Sequence, residues 1–278
     1  MHPILHLTKE AGKHWYQNRA SQAGAAISYY TIFSLVPLLA LSVWIAGKIL
    51  GHTRATQTLF HQITLVIGES SAQFLQEVLN QIHINGSGIT IFVIILMLIL
   101  GTLGALSQIQ KSLNAIFNIE TRSINWKHEI WSRIIGLSII PALALLLMFS
   151  IALGILGTII PESIVRILEI TQLVSLSENL VPTITSILLF AYSFRYLSRR
   201  VIPWREAFLG AIITATLFFG GRILISTYIT TFSDVALFGT MGTFIALLIW
   251  IYFSAQMFLF GASFIWAYSS RYGYLKQG

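Results

Sequence analysis

Six long apolar stretches, separated by short polar segments, dominate the pattern of the chain. Each stretch is long enough to cross a hydrocarbon core of ~30 Å, which takes about 20 helical residues. The pattern therefore predicts an all-α membrane protein with six transmembrane helices. The predicted spans are residues 26–49, 89–106, 134–160, 180–197, 207–229 and 243–268.

Three segments outside the spans carry apolar residues at helical spacing. Residues 4–19 mix large apolar side chains with lysines, which predicts a short amphipathic helix lying at the cytoplasmic interface as an anchor. Residues 74–82 and 164–174 show the same periodicity, and we expect both to cap the external mouth of the bundle. The predicted regions are a cytoplasmic interfacial helix, a six-helix transmembrane domain and a cytoplasmic tail, at 1–24, 25–270 and 271–278.

The composition supports a lipid environment. Of the 278 residues, 55% are hydrophobic and 10% are charged, whereas a soluble domain carries about 25% charged residues. The chain has 0 cysteines, which excludes disulfides, zinc-thiolate sites and thiol nucleophiles.

The distribution of charge predicts the orientation of the spans. The N-terminus, residues 107–133, residues 195–206 and the C-terminal tail together hold 13 Lys/Arg and 4 Asp/Glu. The opposite set of loops holds 3 Lys/Arg and 6 Asp/Glu. Because basic loops stay in the cytoplasm, both termini are predicted to be cytoplasmic. This asymmetry and contact with anionic lipids explain the basic character of the chain, so membrane lipids are the expected partners and nucleic acid is not.

Four stretches of sequence carry a resemblance to a known family. They are AAISYYTIFSLVPLLAL at 25–41, GALSQIQKSLNAIFNI at 104–119, FRYLSRRVIPWREAFLGA at 194–211 and GTFIALLIWIYFSAQMFLFGAS at 242–263. In order and spacing they resemble the YihY/virulence factor BrkB family of bacterial inner-membrane proteins. The resemblance implies six spans, both termini in the cytoplasm, and a link to serum resistance and to the handling of lipid or lipopolysaccharide.

The chain departs from that family near the end of the sixth span. Family members often carry Glu after a Gly-Ala pair there, whereas Ser263 follows Gly261 and Ala262 in this sequence. A mechanism that needs this carboxylate is therefore not expected.

Arg222 is the only ionisable residue well inside a predicted span. An arginine at a helix centre costs about 2.5–3.5 kcal/mol on insertion, so its side chain should face protein, water or a headgroup. In one interpretation Arg222 lines a cavity and holds an anionic substrate group, with Ser226 one turn away as a neutral donor. In the other it extends to a lipid phosphate or pairs with Asp234.

Polar side chains also form stripes on two other spans. Tyr252, Gln256 and Ser263 share one face of the sixth span. Such stripes either join helices through hydrogen bonds worth ~0.6 kcal/mol each or line a polar path. With the first span included, the candidate cavity residues are Arg222, Ser226, Tyr252, Gln256, Ser263, Ser28, Tyr29 and Ser34.

A basic patch follows the fourth span, with Trp204 inside it. It suits contact with anionic headgroups, either as a general determinant of orientation or as a specific lipid-headgroup site. The candidate headgroup residues are Arg195, Arg199, Arg200 and Arg205.

Enzyme chemistry is not expected. All 7 histidines lie outside the predicted spans and no carboxylate lies inside one, which argues against catalytic dyads, paired aspartates or a metal helix within the bundle. No cofactor or metal is expected. The sequence predicts a transporter or exporter of an amphipathic or anionic, lipid-like substrate in the bacterial inner membrane. The alternative is a non-transporting scaffold whose partner is a second copy or another envelope protein.

Overall fold

The computed structural model describes residues 3–50, 64, 76, 88–119, 171–199, 201–231 and 239–273, and this part of the chain contains helices and no strand. The all-helical class predicted from the sequence is confirmed for these residues. The helices are α1 (Pro3–Gln17), α2 (Ala20–Leu50), α3 (Gly88–Ile116), α4 (Thr171–Leu197), α5 (Trp204–Thr231) and α6 (Gly239–Tyr272).

The helices coincide with most of the predicted elements. α1 corresponds to the predicted interfacial helix, and α2, α3, α4, α5 and α6 contain the first, second, fourth, fifth and sixth predicted spans. The predicted third span, the segment 164–170 and nearly all of 74–82 lie outside the described residues. Within the described part, three segments are long and apolar enough to cross a membrane, Ala20–Ser42, Gly88–Ile116 and Leu247–Tyr272.

The surface of α3 is apolar over much of its circumference. Its first half exposes eight large hydrophobic side chains, a surface that water would disfavour and that lipid tails solvate well. These residues are Ile89, Phe92, Val93, Ile95, Leu96, Met97, Ile99 and Leu100.

A two-residue break separates α1 from α2. The backbone N–H and the side-chain amide of Asn18 both donate to the His14 carbonyl, at 3.0 and 2.9 Å, which closes the end of α1. Arg19 then adopts a left-handed φ of 50°, and its carbonyl accepts from the N–H of Ala23. The helix containing the first predicted span therefore begins at Ala20, before the predicted boundary after residue 24.

The chain forms two compact units. The first comprises Met1–Asn18, Leu113–Thr216 and Phe260–Gly278, and the second comprises Arg19–Ser112 and Leu217–Leu259. In the first unit, Leu7 and Ala11 of α1 pack with Phe264 and Ala267 of α6 in a buried cluster. One face of α1 is thus part of a protein core.

Small residues bring α5 and α6 close together within the first unit. A methyl group added at Gly261 would overlap the Thr214 hydroxyl, and one added at Gly210 would overlap Ile265. Thr214 directs its hydroxyl to the Gly210 carbonyl at 2.8 Å, so no polar atom of its side chain is left without a bond. Close backbone approach of this kind is typical of helix packing in membranes.

Glycines also allow close contacts between helices in the second unit. Gly101 of α3 lies against the backbone of Ser34, and Gly104 lies under the ring of Tyr30, so α2 and α3 are in close contact. A methyl group at Gly221 of α5 would overlap the end of the Met257 side chain of α6.

Candidate functional site

The C-terminal end of α3 carries a Schellman motif, which closes the helix. Asn118 adopts a left-handed φ of 52°. The N–H of Ile119 donates to the Asn114 carbonyl at 2.9 Å, and the N–H of Asn118 donates to the Ala115 carbonyl at 3.1 Å. This is the 6→1 and 5→2 pair of bonds that defines the motif. The carbonyl of Ile116 is not used by these bonds and remains available to a side chain.

His14 of α1 supplies the partner for that carbonyl. Its Nε2 lies 2.7 Å from the Ile116 oxygen, and because a carbonyl only accepts, Nε2 must carry the proton. The imidazole also stacks on the indole of Trp266, with ring centroids 3.5 Å apart and an interplanar angle of 3°. Burial lowers the pKa of His14, and the bond to Ile116 partly opposes this shift. The hydrogen bond places a proton on Nε2, and the lowered pKa favours the neutral ring over the doubly protonated one.

The segment after α4 reaches the same helix end. The Asn114 side-chain oxygen accepts from the backbone N–H of Arg199 at 2.9 Å. We call His14, Asn114, Ile116, Arg199 and Trp266 the α3 end cluster. It joins four segments that are far apart in sequence, all within the first unit. One signal in the sequence points to it, because His14 shares a helical face with the apolar residues Leu7 and Ala11.

Arg195, a predicted headgroup residue, is engaged inside the protein. Its Nη1 donates to the Ile202 carbonyl at 2.7 Å, and its guanidinium lies 4.8 Å from the ring centroid of Trp204 and 5.3 Å from that of Tyr196. Its Nε is buried and makes no hydrogen bond among the described residues. These contacts fix the connection between α4 and α5.

The rest of the predicted basic patch is divided. The Arg205 side chain and that of Trp204 are exposed at the start of α5, where lipid headgroups could reach them. Arg199 is half-buried, and Arg200 lies outside the described residues. The specific headgroup site therefore stays a prediction, and Arg205 is its most accessible described member.

Gln256 of α6 forms a buried polar contact with α2 in the second unit. Its Nε2 lies 3.3 Å from the carbonyl oxygens of both Ala20 and Ser21, and its amide lies against Gly24, where a Cβ would overlap it. The reverse amide orientation would place Oε1 against two acceptors, so this assignment is the satisfactory one. Oε1 is buried and has no hydrogen-bond partner among the described residues.

Two serines of α2 that were predicted to line a cavity donate hydrogen bonds to carbonyls of their own helix. The buried Ser28 donates to the Gly24 carbonyl at 2.7 Å, so Ser28 and Gln256 both contact Gly24. Ser34 is half-buried and donates to the Thr31 carbonyl at 3.0 Å. These hydroxyls satisfy backbone carbonyls of their own helix instead of facing open space.

Tyr29 differs from these serines because it lies on the open side of α2. It is 59% exposed and contacts the ring of Phe33, with centroids 4.7 Å apart. Gln22 and Ala25, which lie seven and four residues before Tyr29 on the same helical face, are also exposed. We call Gln22, Ala25, Tyr29 and Phe33 the α2 stripe. Tyr29 is nine residues into the helix, about 14 Å from its start, and three residues inside the predicted first span.

The other predicted cavity residues are Tyr252, Ser263, Arg222 and Ser226, and the cavity that they were predicted to line stays a prediction. Tyr252 is half-buried and meets Phe253 edge-on, with ring centroids 5.7 Å apart. Ser263 is fully buried in the first unit. Arg222 and Ser226 lie on α5, but their side chains are outside the described part of the structure. Among the described residues, no group of three His, Cys, Asp or Glu is placed to hold a metal ion.

Comparison with known proteins gives a family match and distant relatives. The sequence matches the family model described as virulence factor BrkB over residues 11–278. It is 25% identical over 267 residues to a UPF0761 membrane protein of Idiomarina loihiensis, covering 93% of this chain and 89% of that protein. A UPF0761 membrane protein of Mannheimia succiniciproducens is 25% identical over 252 residues, covering 88% and 83%.

Some relatives are longer than this chain. A UPF0761 membrane protein of Ralstonia nicotianae is 24% identical over 245 residues, which is 87% of this chain but 54% of that protein. No solved structure matches the chain.

Proposed function

The chain belongs to the virulence factor BrkB family of membrane proteins, and from this premise we propose that it moves an amphipathic, anionic, lipid-like molecule across the membrane. Its relatives are membrane proteins and its described helices can cross a bilayer, so it is a protein of the bacterial inner membrane. In this proposal it has six spans with both termini in the cytoplasm, and it is a carrier instead of an enzyme.

The α2 stripe is the observation that carries the proposal. A tyrosine hydroxyl without a partner in hydrocarbon costs about 1–3 kcal/mol, so an exposed tyrosine inside a predicted span is better explained by a polar or amphipathic neighbour. Tyr29 and Gln22 offer hydrogen bonds, while Ala25 and Phe33 offer apolar contact on the same face. A molecule with a polar head and an acyl chain matches this alternation.

The α3 end cluster supports the proposed orientation. Through His14, Asn114, Arg199 and Trp266 it joins α1, the end of α3, the segment after α4 and the C-terminal part of α6. These are the four regions in which the basic residues concentrate. Contacts among them favour a common side of the membrane, and positive charge favours the cytoplasmic side.

A lipid-translocation assay tests the proposal. The purified protein is reconstituted into liposomes that contain fluorescently labelled phosphatidylglycerol, and quenching from outside measures movement between leaflets. Tyr29→Phe keeps the ring and removes the hydroxyl, so we expect the rate to fall about two- to tenfold, the effect of one hydrogen bond. Phe92→Leu on the exposed surface of α3 is the matched control and should leave the rate unchanged.

Two results would contradict carriage through the α2 stripe. The first is a wild-type rate equal to that of protein-free liposomes. The second is equal loss of rate in Tyr29→Phe and Phe92→Leu, which would indicate a general disturbance of the bilayer surface of the protein.

A scaffold is the second candidate function, and the packing of polar side chains favours it. Ser28, Thr214 and Gln256 all direct donors to backbone carbonyls within or between helices. In a scaffold these bonds only hold the bundle together, and a second copy or an envelope protein binds outside it. Chemical cross-linking in whole cells, with no lipid movement in liposomes, would favour this function.

A further inference from the structure

The two faces of α1 have different surroundings. Leu7, Ala11 and His14 point into the protein, as described above. On the opposite face Leu5 is 62% exposed and Tyr16 is 78% exposed, and Lys9 and Lys13 between them are also exposed. Because packing fixes the buried face, the outward direction of both lysines is fixed as well.

A groove of about 710 Å³ runs along this outer part of α1. Its volume lies in the range of ligand pockets, about 300–1,000 Å³. The described residues that line the groove expose mainly apolar surface to it, and the polar part comes from the ends of their charged side chains. The lining residues are Leu5, His6, Thr8, Lys9, Glu10 and Lys13.

The charge of the groove favours an anion. Glu10 is the only acid among the described lining residues, and its Oε1 lies 3.3 Å from Nδ1 of His6. The same nitrogen lies 2.9 Å from Nη1 of Arg271, which brings a third cation close to the single carboxylate. Lys9 and Lys13 have no acid of their own among these groups, so their ammonium groups are available to a ligand.

We infer that this groove binds one anionic phospholipid of the bilayer, with the phosphate on Lys9 and Lys13 and the glycerol and upper acyl region along Leu5. A phospholipid carries an anionic phosphate next to an apolar chain, and the groove offers lysine ammonium groups next to an apolar surface. This inference does not rest on the proposed carrier function, because a protein can hold a lipid at α1 whether or not it moves lipid along α2.

Native mass spectrometry of the full chain in detergent, titrated with phosphatidylglycerol or phosphatidylcholine, tests the inference. Each surface lysine contributes a factor of about five to binding of an anionic lipid, so Lys9→Gln with Lys13→Gln should weaken the first phosphatidylglycerol about 25-fold. Lys111→Gln, an exposed lysine of α3 outside the groove, is the matched control and should bind as the wild type does. Phosphatidylcholine should bind weakly to all three proteins.

Three results would overturn the inference. They are unchanged phosphatidylglycerol binding in the double variant, equal wild-type binding of phosphatidylcholine, and displacement of the lipid by about 10 mM inorganic phosphate alone. If the double variant has a lower thermal midpoint, Lys9→Arg with Lys13→Arg is measured beside it as the charge-retaining control and should bind phosphatidylglycerol within twofold of wild type. Leu5→Gln, which keeps both charges, should weaken phosphatidylglycerol and leave inorganic phosphate unaffected.

Discussion

Substitution of His14 tests whether the α3 end cluster holds α1 in place. His14→Phe keeps a ring for Trp266 but removes the proton donor, so the Ile116 carbonyl loses its partner. An unsatisfied buried polar group costs about 1–3 kcal/mol. His14→Ala also removes the stacking, which is worth about 0.5–1.5 kcal/mol. We therefore expect α1 to be destabilised by about 1–3 kcal/mol in the first variant and by about 1.5–4.5 kcal/mol in the second.

Hydrogen–deuterium exchange of α1 measures this local stability. If the amides of α1 exchange when the helix undocks, a loss of about 1–3 kcal/mol raises their exchange rate about 5- to 150-fold. Tyr16→Ala changes an exposed ring of the same helix and should leave the rate unchanged. Wild-type exchange in His14→Ala would refute the reasoning, since α1 would then be held by other contacts.

The same experiment has a pH dependence with a definite sign. Burial lowers the pKa of His14, so the undocked helix binds more protons than the docked one below the usual histidine pKa of about 6.5. The stability from the neutral ring is fully present above about pH 6.5. It decreases as the pH falls towards the lowered pKa and then levels off. After correction for intrinsic exchange, the exchange rate of α1 should rise as the pH is lowered from 7 to 5 in wild type. It should show no such trend in His14→Phe.

Substitutions of Gly261, Gln256 and Arg195, with a control at Gly220, test the packing. Gly261→Ala should lower the free energy of unfolding by about 1–3 kcal/mol because the new methyl overlaps the Thr214 hydroxyl. Gly220→Ala, which has nothing within 4 Å, should not lower the thermal midpoint, and equal midpoints for both would contradict the close approach. Gln256→Leu should change the thermal stability by less than about 1 kcal/mol, since its bonds are 3.3 Å long and its Oε1 is unpaired. Gln256→Glu should lower the free energy of unfolding by several kcal/mol because it buries a charge against two carbonyls. Similar thermal midpoints for the two Gln256 variants would contradict this geometry. Arg195→Lys should lower the free energy of unfolding by about 1 kcal/mol because the stacking of the guanidinium on the Trp204 indole is lost. An unchanged thermal midpoint would refute that role.

The helices were predictable because their apolar runs are long, but their ends were not. α3 continues to Ile116, ten residues beyond the predicted end of the second span at 106. Hydropathy detects the part of a helix that is suited to lipid, whereas the helix itself continues through polar residues until Asn118 turns the chain. The predicted interfacial helix ends at residue 19, at the observed break, but the start of α2 at Ala20 was not predicted, because a left-handed arginine has no distinctive sequence pattern.

The partners of the candidate site residues required the fold. Helical spacing correctly groups Gln256 and Ser263 on a buried face, but it cannot show that Gln256 meets the carbonyls of a helix more than 200 residues away. Charge likewise predicts a side of the membrane for Arg195 without predicting its bond to Ile202. Such contacts depend on how distant segments pack, which one-dimensional periodicity does not contain.

The packing of α1 on α6 has a consequence for biosynthesis. Leu7 and Ala11 leave the ribosome about 250 residues before their partners Phe264 and Ala267. At about 5–20 residues per second this interval is roughly 13–50 s. During that time the apolar face of α1 lacks its α6 partners and is available to the membrane surface or to a chaperone. Completion of α6 then buries this face, so a docked α1 would distinguish a chain that already contains α6 from one that does not.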